Sequence, residues 1–185
     1  TVIDSTGAWS STNYFYYHND QNEYLARYTR RDSDPYSNDI DEIGTATTMR
    51  DNIRFEFTGV TMEETVSPSI IGQDFVLEGT GTSNRVPVNN YYRNTYSQQI
   101  FTPNEVSEGM PGTISSLSFD YAYSTPSTVK NDVEIYLTTT DKESFEDEYD
   151  TVSIACLEPV YVGALNCTQG WNRFELTTPY EYDGV

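Results

Sequence analysis

Positively charged side chains are scarce in this sequence. Its 185 residues include 10 Lys and Arg against 29 Asp and Glu, which gives a formal net charge of -19. Nucleic-acid binding needs clustered cations that contact phosphates, and anionic membrane surfaces attract the same kind of patch. The composition therefore argues against nucleic acid as a partner. It fits an acidic surface protein that repels its own copies, or one that holds cations.

Long apolar runs are also missing. No stretch approaches the roughly 20 apolar residues of a membrane-spanning helix, so membrane insertion is not expected. A signal peptide is not recognisable at the start of the sequence. If the protein is exported, we expect its targeting signal to be removed or to lie outside these 185 residues.

Histidine and cysteine, the usual residues of catalytic and zinc sites, are nearly absent. The single histidine, His18, has no nucleophile motif beside it, so we interpret it as a surface or turn residue and expect no enzyme activity. Two cysteines and one distant histidine do not supply the four ligands of a zinc site. Cys156 and Cys167 lie in strands predicted to be neighbours, which predicts a disulfide; two free core thiols are the alternative.

Aromatic residues, by contrast, are plentiful, with 16 Tyr and 8 Phe, and they suit half-buried strands. Leu117, Phe119 and Tyr121 alternate with polar residues, which is the period of a strand with one buried face. Similar patterns predict strands near residues 2–3, 13–17, 24–28, 53–57, 133–137, 152–156 and 160–164. Pro179 is expected to end the last regular segment.

One short helix interrupts this pattern. Thr102-Pro103-Asn104-Glu105 has the form of a capping box with proline at the first helical position. Gly109 and Pro111 then end the helix after about two turns. We therefore predict an all-β fold, an antiparallel and jelly-roll-like β-sandwich, with one helical elbow near residues 103–109.

Six segments follow one another in an order that is similar to a known family. They are YSQQIF at 96–101, GTISSL at 112–117, IYL at 135–137, DKESF at 141–145, GW at 170–171 and PYEYDG at 179–184. As an ordered set they resemble a jelly-roll repeat module of secreted and cell-surface proteins of Bacteroidota-type bacteria. The resemblance covers roughly residues 79–185 and implies an extracellular β-sandwich without chemistry of its own.

The segments that end such a module come first in this chain. Residues 2–9 resemble its missing strand and turn, residues 31–36 its loop and residues 52–57 its closing strand. The predicted organisation is the C-terminal half of one module at 1–58, a connector with a strand at 59–78 and the N-terminal half of the next module at 79–185. Together these make one unit the size of a sandwich.

The permuted order raises the question of how the sandwich closes, because missing strands would expose unpaired backbone and an apolar face. The candidate closing residues are Val2, Ile3, Ile53, Phe55 and Phe57. The chain can fold them into its own sheets, with Val185 near Thr1, or supply them to a neighbouring copy or repeat. The sequence favours the second arrangement, a filament or tandem array joined by strand exchange, because a closed module would begin at its own first strand.

Two kinds of binding site are also predicted. An acidic loop offers oxygen ligands for a structural calcium ion, which prefers six to eight of them, at Asp32, Asp34, Asn38, Asp39 and Asp41. Exposed aromatic rings suit stacking on sugars, and the candidates are Tyr14, Tyr16, Tyr91 and Tyr92. No other cofactor is expected.

The functional expectation is a non-enzymatic module of the bacterial cell surface that acts as a spacer, an adhesin or a filament subunit. Its partners would be copies of itself or neighbouring repeats. The alternative is a carbohydrate-binding module of a secreted polysaccharide-degrading system, with a surface polysaccharide as its ligand.

Overall fold

Two antiparallel β-sheets packed against each other make up this protein in the computed structural model, which describes residues 1–6, 14–36, 44–58, 74–147 and 149–185. In chain order the strands are β1 (Val2–Asp4), β2 (Phe15–Asn19), β3 (Ala26–Arg31), β4 (Thr45–Thr47), β5 (Met49–Asp51), β6 (Ile53–Thr58), β7 (Asp74–Leu77), β8 (Gly81–Ser83), β9 (Asn94–Gln99), β10 (Gly112–Tyr121), β11 (Lys130–Ile135), β12 (Tyr161–Leu165) and β13 (Gly170–Tyr182). The prediction of an all-β sandwich is confirmed.

The helical elbow is α1, Pro103–Ser107, the one helix among the described residues. Its capping box is present: the Glu105 backbone N–H donates to the Thr102 hydroxyl, and the Glu105 carboxylate accepts from the Thr102 backbone N–H at 2.8 Å. Glu108, with a left-handed φ of 55°, ends the helix after five residues.

Both sheets combine strands from the two halves of the chain. Sheet A has the order β12-β11-β1-β9-β3-β4. Sheet B has the order β5-β2-β10-β6-β7, with β13 on β10 and β8 on β2. Residues 1–58 and 79–185 therefore interleave in one sandwich, and β7 is the strand of the predicted connector.

The residues predicted for strand exchange pair within their own chain. Val2 and Ile3 lie in β1 between β9 and β11, and Ile53, Phe55 and Phe57 lie in β6 against β10. Thr1 and Val185 line one cavity at the same end of the sandwich. The chain therefore closes its own sheets, which is the alternative that the sequence did not favour.

The main core lies between the sheets and takes one face of each long strand. Ile53, Phe55 and Phe57 of β6 lie beside Leu117 and Phe119 of β10 on the inner face of sheet B, and all five side chains are buried. Because strand side chains alternate, the residues between them point away from the core. This alternation creates an outer face on sheet B.

Residues 136–147 and 149–160 cover the outer side of sheet A. Ile154 packs there with Ile3 and Tyr96, and Phe145 packs with Leu25 in a separate small cluster. The Gln98 side chain donates to the Val152 carbonyl oxygen at 2.6 Å and accepts from the Val152 N–H at 3.2 Å. The predicted strand at 152–156 is wrong, because an amide side chain and a turn hold this segment.

The last strand is longer than predicted. β13 continues through Pro179 to Tyr182 because its pairing with β10 shifts between Ile114 and Ser116. Proline lacks an N–H to donate, and strands tolerate it at such an irregularity. The prediction that Pro179 ends the regular pattern is wrong.

Arg50 of β5 joins the two halves. Its side chain is 1% exposed. The guanidinium donates to both oxygens of Asp20, at 2.7 and 2.6 Å, and to both oxygens of Glu105, at 2.9 and 2.7 Å. It also donates to the Ile100 carbonyl at 2.8 Å and lies 5.1 Å from the centre of the Phe101 ring.

The same cluster sets the charge of Glu105. Burial acts to raise the pKa of this carboxyl, but hydrogen bonds from Arg50 and Thr102 outweigh it and lower the pKa to about 2. Glu105 therefore stays ionised and serves both the helix cap and the buried cation.

Asp51 of β5 connects the two sheets. The Gln99 side chain donates to Asp51 Oδ2 at 2.7 Å, and the Asp51 N–H donates to Gln99 Oε1 at 2.7 Å. Burial raises the pKa of Asp51 well above its usual value, and the hydrogen bond from Gln99 opposes this only in part.

We predict that Arg50→Met lowers the free energy of unfolding by about 3–5 kcal/mol, because it leaves two carboxylates facing each other without their cation. Urea denaturation measures the change. Arg93→Met, at an exposed arginine, is the matched control and should change stability by less than about 0.5 kcal/mol. Similar small losses in both variants would contradict the role assigned to Arg50.

A second prediction concerns Asp51. Between its unfolded pKa of 3.8 and its raised folded pKa, the native state binds the extra proton, so stability falls as pH rises. Asp51→Asn should remove this pH dependence. The variant should therefore have a higher free energy of unfolding than the wild type from pH 5 to pH 8. Denaturation at several pH values checks it, with exposed Asp141→Asn as control; parallel profiles for wild type and Asp51→Asn would refute it.

Candidate functional site

The outer side of sheet B presents a row of polar and aromatic side chains from three adjacent strands. The register places Ser118 between Arg54 and Arg173, and it pairs Asp120 with Trp171. We call this surface the polar face; its residues are Arg54, Glu56, Ser116, Ser118, Asp120, Trp171, Arg173 and Glu175.

Glu56 organises the centre of the polar face. It accepts hydrogen bonds from Ser116 at 2.7 Å and Ser118 at 3.1 Å, and it is paired with Arg173, which also donates to Ser116 at 3.0 Å. Partial burial acts to raise the pKa of Glu56, but these donors lower it overall. The carboxylate therefore stays charged, and Ser116 and Ser118 are buried beneath it.

Trp171 is the large aromatic ring of the polar face. The Arg54 guanidinium lies 4.7 Å from the ring centre, a cation–π distance. Gly170, with a φ of +96°, precedes it in a conformation that side chains rarely adopt, and it starts β13 so that Trp171 pairs with Asp120. Trp171 is half-buried, so part of the ring is accessible.

Asp120 lies beside this ring. Burial raises the pKa of Asp120, and the negative charge of Glu78 adds to the rise, whereas a hydrogen bond with Asn52 and the charge of Arg54 oppose it. The polar face thus offers hydrogen-bond donors, acceptors and an aromatic ring on a surface built from regular strands.

The predicted glycan-stacking tyrosines do not form one site. Tyr16 follows the buried Phe15 and so lies on the outer side of sheet B, half-buried. Tyr14 packs instead against Tyr123, with ring centres 5.3 Å apart, beyond the end of β10.

Tyr91 and Tyr92 lie in the segment between β8 and β9. Their ring centres are 5.3 Å apart, and Arg30 stacks on Tyr92 at 4.7 Å. Tyr91 is 50% exposed. It presents an accessible aromatic ring, while Tyr92 is held by its neighbours.

The predicted calcium loop is described only in part. The Asp32 carboxylate accepts from the Arg93 N–H at 3.2 Å, and the Asp34 carbonyl oxygen accepts from Arg31 at 2.6 Å. Asn38, Asp39 and Asp41 lie outside the described residues. In the parts of the chain that the structure covers, no group of three or more acidic, histidine or cysteine side chains has a metal-binding arrangement.

The predicted disulfide is not supported, because both cysteines are free. Cys156 lies exposed in a turn and not in the predicted strand. Cys167 is buried in the main core beside Ser127, to whose hydroxyl it donates its N–H at 2.8 Å. Burial raises the pKa of Cys167 to about 12, with a further contribution from Asp51 and partial opposition from Ser127.

His18 lies at the exposed end of β2. Its Nδ1 is 3.2 Å from the Glu78 carbonyl oxygen, and its Nε2 is 3.5 Å from Asp20, the carboxylate that also binds Arg50. No helix in the described residues has the length and apolar character needed to cross a bilayer.

The comparison of this chain with protein-family models, curated proteins and solved structures found no match. The polar face is therefore assigned from geometry alone.

We predict that Cys156 reacts with a thiol reagent in the native protein and that Cys167 reacts only after denaturation, because exposure favours the first and burial protects the second. Counting modified cysteines by intact mass at pH 8 gives the result. A native mass two hydrogens below the reduced value, with no reactive thiol, would instead reveal the disulfide.

Proposed function

We propose that this chain is a non-enzymatic adhesive module of a bacterial cell-surface protein and that it binds carbohydrate on the polar face. The observation that carries this proposal is the partly accessible Trp171 ring, set on a regular sheet among charged and polar side chains. Sugars present both apolar C–H surfaces and closely spaced hydroxyls, so a ring beside carboxylates and guanidinium groups complements them.

The geometry of the partners supports recognition of hydroxyl groups. The carboxylates of Glu56 and Asp120 accept hydrogen bonds, and the guanidinium groups of Arg54 and Arg173 donate in fixed directions. Since these side chains project from β6, β10 and β13, strand pairing fixes their spacing before a ligand arrives. Such preorganisation reduces the entropy lost on binding.

The resemblance to surface modules implies three roles: spacer, adhesin and filament subunit. The adhesin role is the one that the polar face supports, because a spacer does not need an aromatic ring among ordered polar groups. Extracellular location is part of the same proposal, and it is supported by the resemblance and by the strongly acidic composition.

The test is a screen of bacterial and plant polysaccharides followed by titration of the best ligand. We predict that Trp171→Ala weakens binding roughly tenfold or more, because truncating an aromatic anchor typically costs over 1 kcal/mol. Tyr149→Ala is the matched control, since this ring is 63% exposed and outside the polar face. It should bind like the wild type.

Circular dichroism checks that each variant is folded. Tyr91→Ala extends the experiment to the other exposed aromatic ring. If Tyr91→Ala loses binding and Trp171→Ala does not, the binding site lies in the segment between β8 and β9 and not on the polar face. Absence of binding to every polysaccharide would refute the carbohydrate proposal.

A further inference from the structure

A second feature of the molecule is independent of the polar face. A cavity of about 550 Å³ opens at the end of the sandwich where α1, the end of β13 and residues 138–143 meet. Its volume lies within the usual range of small-molecule sites, about 300–1,000 Å³. Among the described residues it takes its lining from both sheets and from the segment that covers sheet A.

The inner wall of the cavity is apolar. Phe55 and Leu117 of sheet B and Ile135 of sheet A line it from the main core. Leu137 lies nearer the surface and is half-buried. The deeper polar side chains of the lining, Ser97, Gln98 and Gln99, already donate hydrogen bonds to Pro87, Val152 and Asp51, respectively. The depth of the cavity therefore selects for an apolar body.

The mouth of the cavity is polar and negatively charged. Thr138, Thr139 and Thr140 are exposed there and supply hydroxyl groups. Glu23, Asp141 and Glu143 add three exposed carboxylates.

The cation at the mouth, Lys142, does not offset these charges. It is paired with Asp150. An anionic head group at this position would therefore meet net repulsion, whereas a hydroxyl or amino group would find acceptors.

We propose that this cavity binds a small amphiphile, with an apolar chain between the sheets and a hydroxyl or amino head among the threonines and carboxylates of the mouth. The charge of the mouth sets the selectivity against carboxylate and phosphate heads. The site does not involve Trp171, so its test is independent of the test of carbohydrate binding.

The experiment is calorimetric titration of the whole protein with decanol, decylamine and decanoate at pH 7. Decanol and decylamine should bind with one molecule per chain, and decanoate should bind at least tenfold more weakly than decanol. Glu143→Lys should reduce the difference in affinity between decanol and decanoate, because it replaces a repelling charge with an attracting one. Glu158→Lys is the control, because Glu158 is exposed and does not line the cavity. It should leave the difference in affinity between decanol and decanoate unchanged.

Leu137→Trp should obstruct the entrance to the cavity and weaken decanol binding at least tenfold. Val162→Trp is its control, because this side chain is 54% exposed on β12 and does not line the cavity. If Leu137→Trp does not fold, Thr139→Trp at the exposed mouth replaces it as the blocking variant. Failure of decanol to bind, equal binding of decanoate and decanol, or unchanged decanol binding in the blocking variant would each overturn the proposal.

Discussion

One buried guanidinium holds together parts of the chain that are far apart in sequence. Arg50 neutralises Asp20 from the first half and Glu105 from the second, and Glu105 also belongs to the capping box of α1. The approach of β2 and β5 to the helical elbow thus depends on one cation. At the other end of β9, the buried pair of Lys130 and Asp4, 2.8 Å apart, joins β11 to β1 in the same way. A buried charge without its partner is costly, so these contacts allow few alternative packings.

Most of the few basic residues are arginines, and their contacts fit that choice. Of the 10 Lys and Arg, several are placed inside the fold, and arginines stack repeatedly on aromatic rings. Stacked pairs link Arg30 with Tyr92, Arg31 with Tyr36, Arg50 with Phe101, Arg54 with Trp171 and Arg85 with Tyr28. A planar guanidinium suits both the ring and a carboxylate fork, whereas an ammonium group offers only a point charge. A chain rich in tyrosine and phenylalanine thus gives its arginines partners that a lysine would use less well.

Local sequence patterns predicted the strands and the helix well, but they predicted the contacts between these elements poorly. Alternation in β6 and β10 and the capping box of α1 are short-range signals, and the structure contains all three. The strand predicted at 152–156 is wrong because these residues form a turn and an adjoining segment. The Gln98 side chain, 54 positions from Val152, binds this segment, and such a contact is not visible in a local pattern. The polar face was missed for a similar reason: Trp171 and Arg54 become neighbours only through the pairing of β10 with β6 and β13. The alternation of Arg54 and Glu56 with buried residues was the available signal.

The interleaving of the two halves has a consequence for how the chain acquires its structure. β1 lies between β9 and β11, so Val2 gains its first partner, Ser97, only once β9 has been synthesised and its second, Ile135, only with β11. Contacts of such long sequence separation slow folding, because a large loop must close before the interaction stabilises it. A chain still on the ribosome can form local pairs such as β3 with β4 and β6 with β7, but sheet A is completed only after β11 and β12 emerge. Until then the chain exposes apolar strands, and the mutual repulsion of its many carboxylates is the property that opposes aggregation.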